Sequence, residues 1–359
     1  GLADYSAFIL GGLPKQGQTL EEVKDLLLNE IKKLRAGEFD EKMLQANINN
    51  FKLYELQSME SNEGRADIFV NSFINGTNWE DEVTAIDRMA KLTKEDIVAF
   101  ADKYLKEDNY AVVYKKQGKD PNEKKMTKPE ITPIVSNRDV ASPFLTSIQE
   151  NAVKPIEPVF LDFKKDMSQL TAKSDIPVLY KQNVTNDLFQ LIYVFDMGNN
   201  NDKALGTAFD YLEYLGTSDM TPEELKSEFY RLACTFYVSP GNERTYVVLS
   251  GLNENMPAAM QLFEKLLADA QVNKEAYDNL VGDILKARAD AKLNQGQNFS
   301  RLMNYAMYGP KSPATNLLTE AELASMNPQE LVDRIHNQNN YKHRILYYGP
   351  SSSKDLLAT

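Results

Sequence analysis

The chain reads as an α+β protein of two units, each a mixed, mainly antiparallel sheet with long helices packed on one face, the first unit incomplete. Three observations lead there. Long stretches repeat apolar residues at helical spacing, short β-rich runs stand between turn residues, and the two units end alike. The boundaries follow composition: residues 1–115, a Pro/Lys-rich linker over 116–175, and 176–359.

Tyr5 to Leu13 is predicted as a short strand. The helix after it opens on a capping box, Thr19 with Glu22, carries Leu20, Val23, Leu27, Ile31 and Leu34 on one face, and ends at Gly37. Helical spacing continues over Asp40–Ser58, Asn62–Ile74 and Trp79–Met89. Thr93 and Asp96 cap a further helix, Lys94 to Leu105, and Tyr110–Tyr114 is predicted as a strand. In the linker Pro121, Pro129, Pro133, Pro143, Pro155 and Pro158 recur among lysines. Its apolar islands, Ile134–Val135 and Val159–Phe160, predict a segment that docks on a surface.

The second unit starts near Ser174. Val178–Lys181 and Asp187–Phe195 read as paired strands joined by Asn183–Asn186. Helices are predicted over Asp202–Leu215 and Pro222–Leu232, the second with Thr221 as cap, Pro222 at its first position and Glu224 as box acid. Strands Thr235–Ser239 and Arg244–Gly251 flank the turn Pro240-Gly241-Asn242. Helices follow over Met256–Ala270, Lys274–Leu293, Ser300–Tyr308 and Pro328–Asn337, then a strand, His343–Tyr348. Thr93 to Tyr114 and Asn327 to Tyr347 share an order: cap, box acid (Asp96, Glu330), apolar pair, helix, Asn-Tyr, strand. That shared order reads as duplication, with the front of the first unit lacking.

Composition excludes several functions. The 359 residues carry a net charge of −12, which argues against nucleic-acid binding through phosphate contacts. No run of about 18 apolar residues predicts a membrane span. The chain opens on Gly1, as a trimmed piece of a longer protein would. One cysteine, Cys234, rules out an internal disulfide, and its apolar neighbours predict a buried, inert thiol. With two histidines, His336 and His343, both expected at the surface, a His-rich zinc site is not expected. Ser239-Pro-Gly lacks the G-x-S-x-G of a nucleophile elbow, and no phosphate-binding glycine loop occurs.

The informative stretch is Ala204-Leu-Gly-Thr-Ala-Phe-Asp-Tyr-Leu-Glu-Tyr-Leu-Gly-Thr217, which follows a strand pair and opens a helix. It resembles the motif helix of the pitrilysin/insulysin peptidases, His-x-x-Glu-His soon followed by Gly-Thr. In that family the histidines bind zinc and the glutamate activates its water. The resemblance places Asp210 and Tyr214 at the two histidine positions, Glu213 at the glutamate, Asp283 at the distant glutamate, and Gly216-Thr217 where the family has them. Met307-Tyr-Gly309-Pro310 resembles the family's tyrosine-glycine segment.

The resemblance implies that residues 1–115 are the rear of one peptidase-like domain and 176–359 a second, nearly complete one with a degenerate zinc motif. It implies no catalytic, cofactor or metal residue in this chain. Zinc is expected in a missing catalytic half, of the same protein or a partner subunit, with a peptide substrate and a bacterial periplasm or envelope location. From the residues themselves, Asp210 and Glu213 lie three apart on one helix face, and Asp283 could join them. That cluster reads either as an oxygen-ligand site suited to Ca²⁺ or Mg²⁺ or as a solvated acidic face.

Overall fold

The structure is a computed structural model describing residues 4–15, 17–119, 126–133 and 140–359. Pro121, Ile134 and Val135 lie outside the described residues.

The front of the chain is helical: α1 (Leu20–Ala36), α2 (Lys42–Ser58), α3 (Asn62–Asn75), α4 (Trp79–Val83), α5 (Ala85–Met89) and α6 (Lys94–Tyr104). The Thr19/Glu22 and Thr93/Asp96 boxes form as read, and Gly37 ends α1 at φ 70, a left-handed backbone that glycine adopts without strain. The half-buried stripe of α1 faces α6, with Arg35 on Asp102 at 2.8 Å. The single helix predicted over Trp79–Met89 is two, parted at Thr84 (φ −104, ψ 8). Trp79 stacks on Phe69, ring centroids 4.6 Å apart.

The strands expected at Tyr5–Leu13 and Tyr110–Tyr114 do not form. A strand needs a neighbour to take its N–H and C=O groups. Residues 5–13 are exposed throughout, and Val113 is 92% exposed. Among the described residues before the sheet, only Ala46 and Ala101 are buried apolar side chains.

The linker carries a short helix, α7 (Pro143–Gln149), capped by Ser142. Docking of its apolar island is not seen: Val159 and Phe160 are 91% and 83% exposed. The sheet starts earlier than the boundary at 176, because β1 (Ser168–Thr171) already pairs with β2 (Pro177–Gln182).

The remaining elements are β3 (Leu188–Phe195), α8 (Leu205–Leu212), α9 (Pro222–Arg231), β4 (Cys234–Pro240), β5 (Thr245–Leu252), α10 (Met256–Asp269), α11 (Lys274–Leu293), α12 (Gln295–Tyr308), α13 (Glu320–Ser325), α14 (Pro328–His336), β6 (His343–Gly349) and α15 (Ser353–Ala358). Among the described residues, six strands form one mixed sheet in the order β1-β2-β6-β3-β5-β4. Within it β2 and β6 run parallel and the other neighbouring strands antiparallel.

β2 and β3 are therefore not a hairpin. The last strand enters between them, and Asn183 holds the chain open by giving its backbone N–H to Gly349 O (2.8 Å) and its side-chain amide to Leu188 O (3.1 Å). Alternate residues of each strand point to the helices, as the period of two requires. Phe189, Leu191 and Phe195, Val247 and Leu249, Cys234 and Tyr347 enter one core with α8, α9, α10 and α14. Cys234 is buried, and burial pushes its thiol up to about 12, which keeps it protonated and unreactive at neutral pH.

The helix order α1 to α6 recurs as α10 to α14, with the α4–α5 pair in the place of α13. The match stops at the ends. Asn327 caps Gln329 N–H and Glu330 closes no box, while β6 is paired and Tyr110–Tyr114 is not. α2 rests on the second unit. Asn50 donates to Tyr230 O (2.7 Å), Tyr230 donates to Asn47 (2.6 Å), and Leu53 and Leu56 cover Leu188, Ala233 and Leu252.

Candidate functional site

α8 is set by the turn that precedes it. Gly198 lies where a Cβ would come 2.6 Å from the Asn242 backbone, so only glycine fits beside that turn. Asn199 and Asn200 donate their backbone N–H groups to Gly241 O and Asn242 O at 2.9 and 2.8 Å. Asn199 Oδ1 accepts Gly206 N–H at 3.0 Å, one of the donors a helix start leaves open. Asp202 takes Arg334 of α14 at 2.7 Å, and Lys203 meets Glu322 of α13 at 2.5 Å. Leu205, Ala208, Phe209, Tyr211 and Leu212 are buried.

Tyr211 joins α8 to α11. Its hydroxyl donates to Asn273 O (2.6 Å) and accepts Asn273 N–H (2.8 Å), and its ring meets Tyr277 edge-on at 5.8 Å. Tyr277 in turn donates to Leu323 O at 2.7 Å. This clasp was not read from the sequence. Its one signal was Asn273, a capping residue directly before the α11 periodicity.

The motif positions straddle the end of α8. Asp210 lies in the last turn, Glu213 is the C-cap (φ −63, ψ −17), and Tyr214 follows in a tighter turn, its N–H donating to Tyr211 O at 3.0 Å. The predicted helix to Leu215 therefore stops three residues early. All three side chains are exposed, Tyr214 by 43% with Lys226 5.9 Å from its ring centre. Asp210 and Glu213 do face the same way. Partial desolvation, then the Glu213 charge, raise the Asp210 carboxyl above its ordinary range.

Asp283 sits exposed on α11, and among the described residues no three His, Cys, Asp or Glu side chains converge in a metal-holding group. The donor set at the motif does not fit zinc. Two exposed carboxylates and a phenol stand where a hydrolytic zinc site uses neutral imidazoles.

The raised Asp210 pKa has a consequence for stability. The folded chain holds the Asp210 proton more tightly than the unfolded chain, so ionisation above that range costs the folded state. Asp210→Asn is expected to raise the thermal midpoint modestly at pH 7. The gain should fade as pH falls below about 4, where both states bind the proton. Melts of both chains from pH 3 to 8 check this, and a gain that persists unchanged at pH 3 contradicts it.

Beyond α8 the chain is held by Gly216 and its neighbours. Gly216 O accepts Gln271 N–H at 2.9 Å, and a Cβ on Gly216 would lie 2.3 Å from Met220 O. Thr217 donates to Asp219 (2.8 Å), which Lys265 also meets, and Ser218 donates to Asp269 at 2.6 Å. These pairs line a shallow groove of about 500 Å³.

The two histidines stand apart from the motif. His336 is exposed, its Nε2 3.2 Å from Ala270 O. His343, expected at the surface, is half-buried, because β6 is an inner strand and the imidazole packs on Phe195 at 4.9 Å.

No protein-family model matches the chain, and no curated protein sequence matches it. Solved structures do. One is the inactive domain of an M16 peptidase from Pseudomonas fluorescens, with TM-score 0.46 and 15% identity over 54% of this chain and 48% of that one. Another is the periplasmic protease PqqL from Escherichia coli, with TM-score 0.48 and 14% identity over 94% and 40%. A third is a protease from Helicobacter pylori, with TM-score 0.44 and 11% identity over 54% and 48%. The chain spans about half or less of the length of each.

No helix among the described residues is long and apolar enough to cross a membrane.

Proposed function

We propose that this chain is a non-catalytic segment of a larger zinc metalloendopeptidase, part of the wall of a chamber that encloses peptide. One observation carries the reading. α8 is clasped to α11 through Tyr211 and Asn273, while its outward positions hold Asp210, Glu213 and Tyr214, a set that supplies no imidazole for a hydrolytic zinc. A wall needs the helix and not the ligands.

In this reading zinc and the general base belong to a catalytic half, in the same protein or in a partner subunit, and the place of work is the bacterial envelope. β4 ends the sheet, so an extended peptide can add to its edge through backbone hydrogen bonds.

The test is metal content after incubation with excess zinc and its removal. Less than about a tenth of an equivalent is expected, because a tight site needs a matched ligand set. A full equivalent that disappears in Asp210→Ala and Glu213→Ala would overturn the reading, and cleavage of peptide by the chain alone would then be assayed.

A further inference from the structure

β4 is the last strand in the order of the sheet, and its register with β5 fixes which backbone groups it leaves over. Gly241 donates its N–H to Arg244 O at 2.8 Å at one end of the pair, and Leu252 donates to Ala233 O at 3.3 Å at the other. Both are hydrogen-bonded pairs, and in an antiparallel ladder these alternate with non-bonded ones. Thr235, Tyr237 and Ser239 therefore spend their N–H and C=O groups on β5. Cys234, Phe236 and Val238 turn theirs the other way. Among the described residues no hydrogen bond uses the main-chain groups of Phe236 or Val238. Pro240 ends the row, because it has no N–H to offer.

Native sheet edges are guarded by lysine, by other charges or by a bulge. β4, Cys234-Thr-Phe-Tyr-Val-Ser-Pro240, carries no charge, and its pairing with β5 runs without a bulge. Its side chains divide with the period of two. Phe236 and Val238 are half-buried toward the helices, Phe236 between the rings of Phe229 and Phe263 at 4.9 and 4.8 Å. Thr235, Tyr237 and Ser239 are exposed on the other face. A second extended backbone matches donors and acceptors spaced at every second residue, whereas a helix spends its own internally.

Resting on the chamber reading above, we infer that the β4 edge selects uncharged, extended peptide of about five residues, with apolar side chains opposite Phe236 and Val238. The peptide runs antiparallel, as β5 does on the other side, which is the slightly more stable pairing. The two peptide residues opposite Phe236 and Val238 need free N–H groups, so proline at either position is rejected. The residue between them lies across from Tyr237, where a β-branched side chain packs on the ring. β4 offers no counter-charge to a charged peptide.

The test uses fluorescein-labelled Thr-Val-Thr-Val-Thr amide and the 359-residue chain, read by fluorescence anisotropy. A Kd of about 100 μM is expected. N-methylation of both valines should weaken binding by about tenfold or more, as should lysine in place of both. N-methylation of the central threonine, whose N–H points away from β4, should leave Kd within about twofold. Val238→Pro removes one outward donor and no bond to β5. It should weaken binding by about tenfold while the melting point stays close to the parent's.

No binding up to about 1 mM overturns the inference, as does a peptide indifferent to N-methylation of its valines. A dimer in sedimentation velocity that excludes the peptide and is abolished by Val238→Pro makes the occupant a second copy, and also overturns it. Metal content tests the chamber reading separately. A zinc-free chain that fails to bind the peptide overturns the edge alone, and a zinc-loaded chain that binds it overturns the wall alone.

Discussion

Truncating Tyr211 to alanine is expected to lower the stability of the second unit by about 3–5 kcal/mol, the range for deleting a buried aromatic ring. Tyr211 has 0% exposure and is among the largest fully buried side chains. Its loss removes ring packing against Tyr277 and both hydrogen bonds to Asn273 at once. Tyr211→Phe separates these contributions. It keeps the ring and leaves the Asn273 carbonyl and N–H to find water, at a cost of about 1–2 kcal/mol because Asn273 itself lies at the surface.

Denaturant melts of the three chains give the comparison. The cost should fall on stability and not on metal content, since the proposed wall binds none. A Tyr211→Phe chain as unstable as Tyr211→Ala would mean that the hydroxyl, not the ring, holds α8 to α11.

Gly251→Ala should cost about 2–4 kcal/mol, and the cause is backbone geometry. Gly251 has φ 152, a region that side chains rarely allow. It pairs with Cys234 where the chain leaves α9 for β4, and Ala233 there is already left-handed at φ 46. The Ala233 carbonyl accepts Leu252 N–H at 3.3 Å, which brings it across Gly251. An added Cβ would lie 2.3 Å from that oxygen and 2.7 Å from Cys234 Cα. Both neighbours are backbone and neither can rotate aside. Ala233→Gly is the control. It relieves a left-handed non-glycine residue but removes one buried methyl, so the two effects should offset and leave the stability within about 1 kcal/mol of the parent. A Gly251→Ala chain with the parent's melting point would show that β4 shifts without cost.

The sequence alone determined the α+β class and most helices of both units, because these depend on local chemistry. Thr19 with Glu22, Thr93 with Asp96, and Thr221 with Glu224 each satisfy their own helix start, and α11 spans Lys274–Leu293 as its periodicity predicts. The helices missed, α7, α13 and α15, have six or seven residues, too few to display a period.

Only the tertiary structure decided what depends on a distant neighbour. β6 enters between β2 and β3, although those two strands are closer to each other in sequence. Tyr110–Tyr114 has the residues of a strand and no partner strand among the described residues, whereas His343–Gly349 has both. At the motif, the identities of Asp210, Glu213 and Tyr214 were legible from the start. That α8 stops at Leu212, and that Tyr211 faces inward to Asn273 while its neighbours face out, was not. A helix end is set by the packing on which it stops, and that packing lies 62 residues further along the chain.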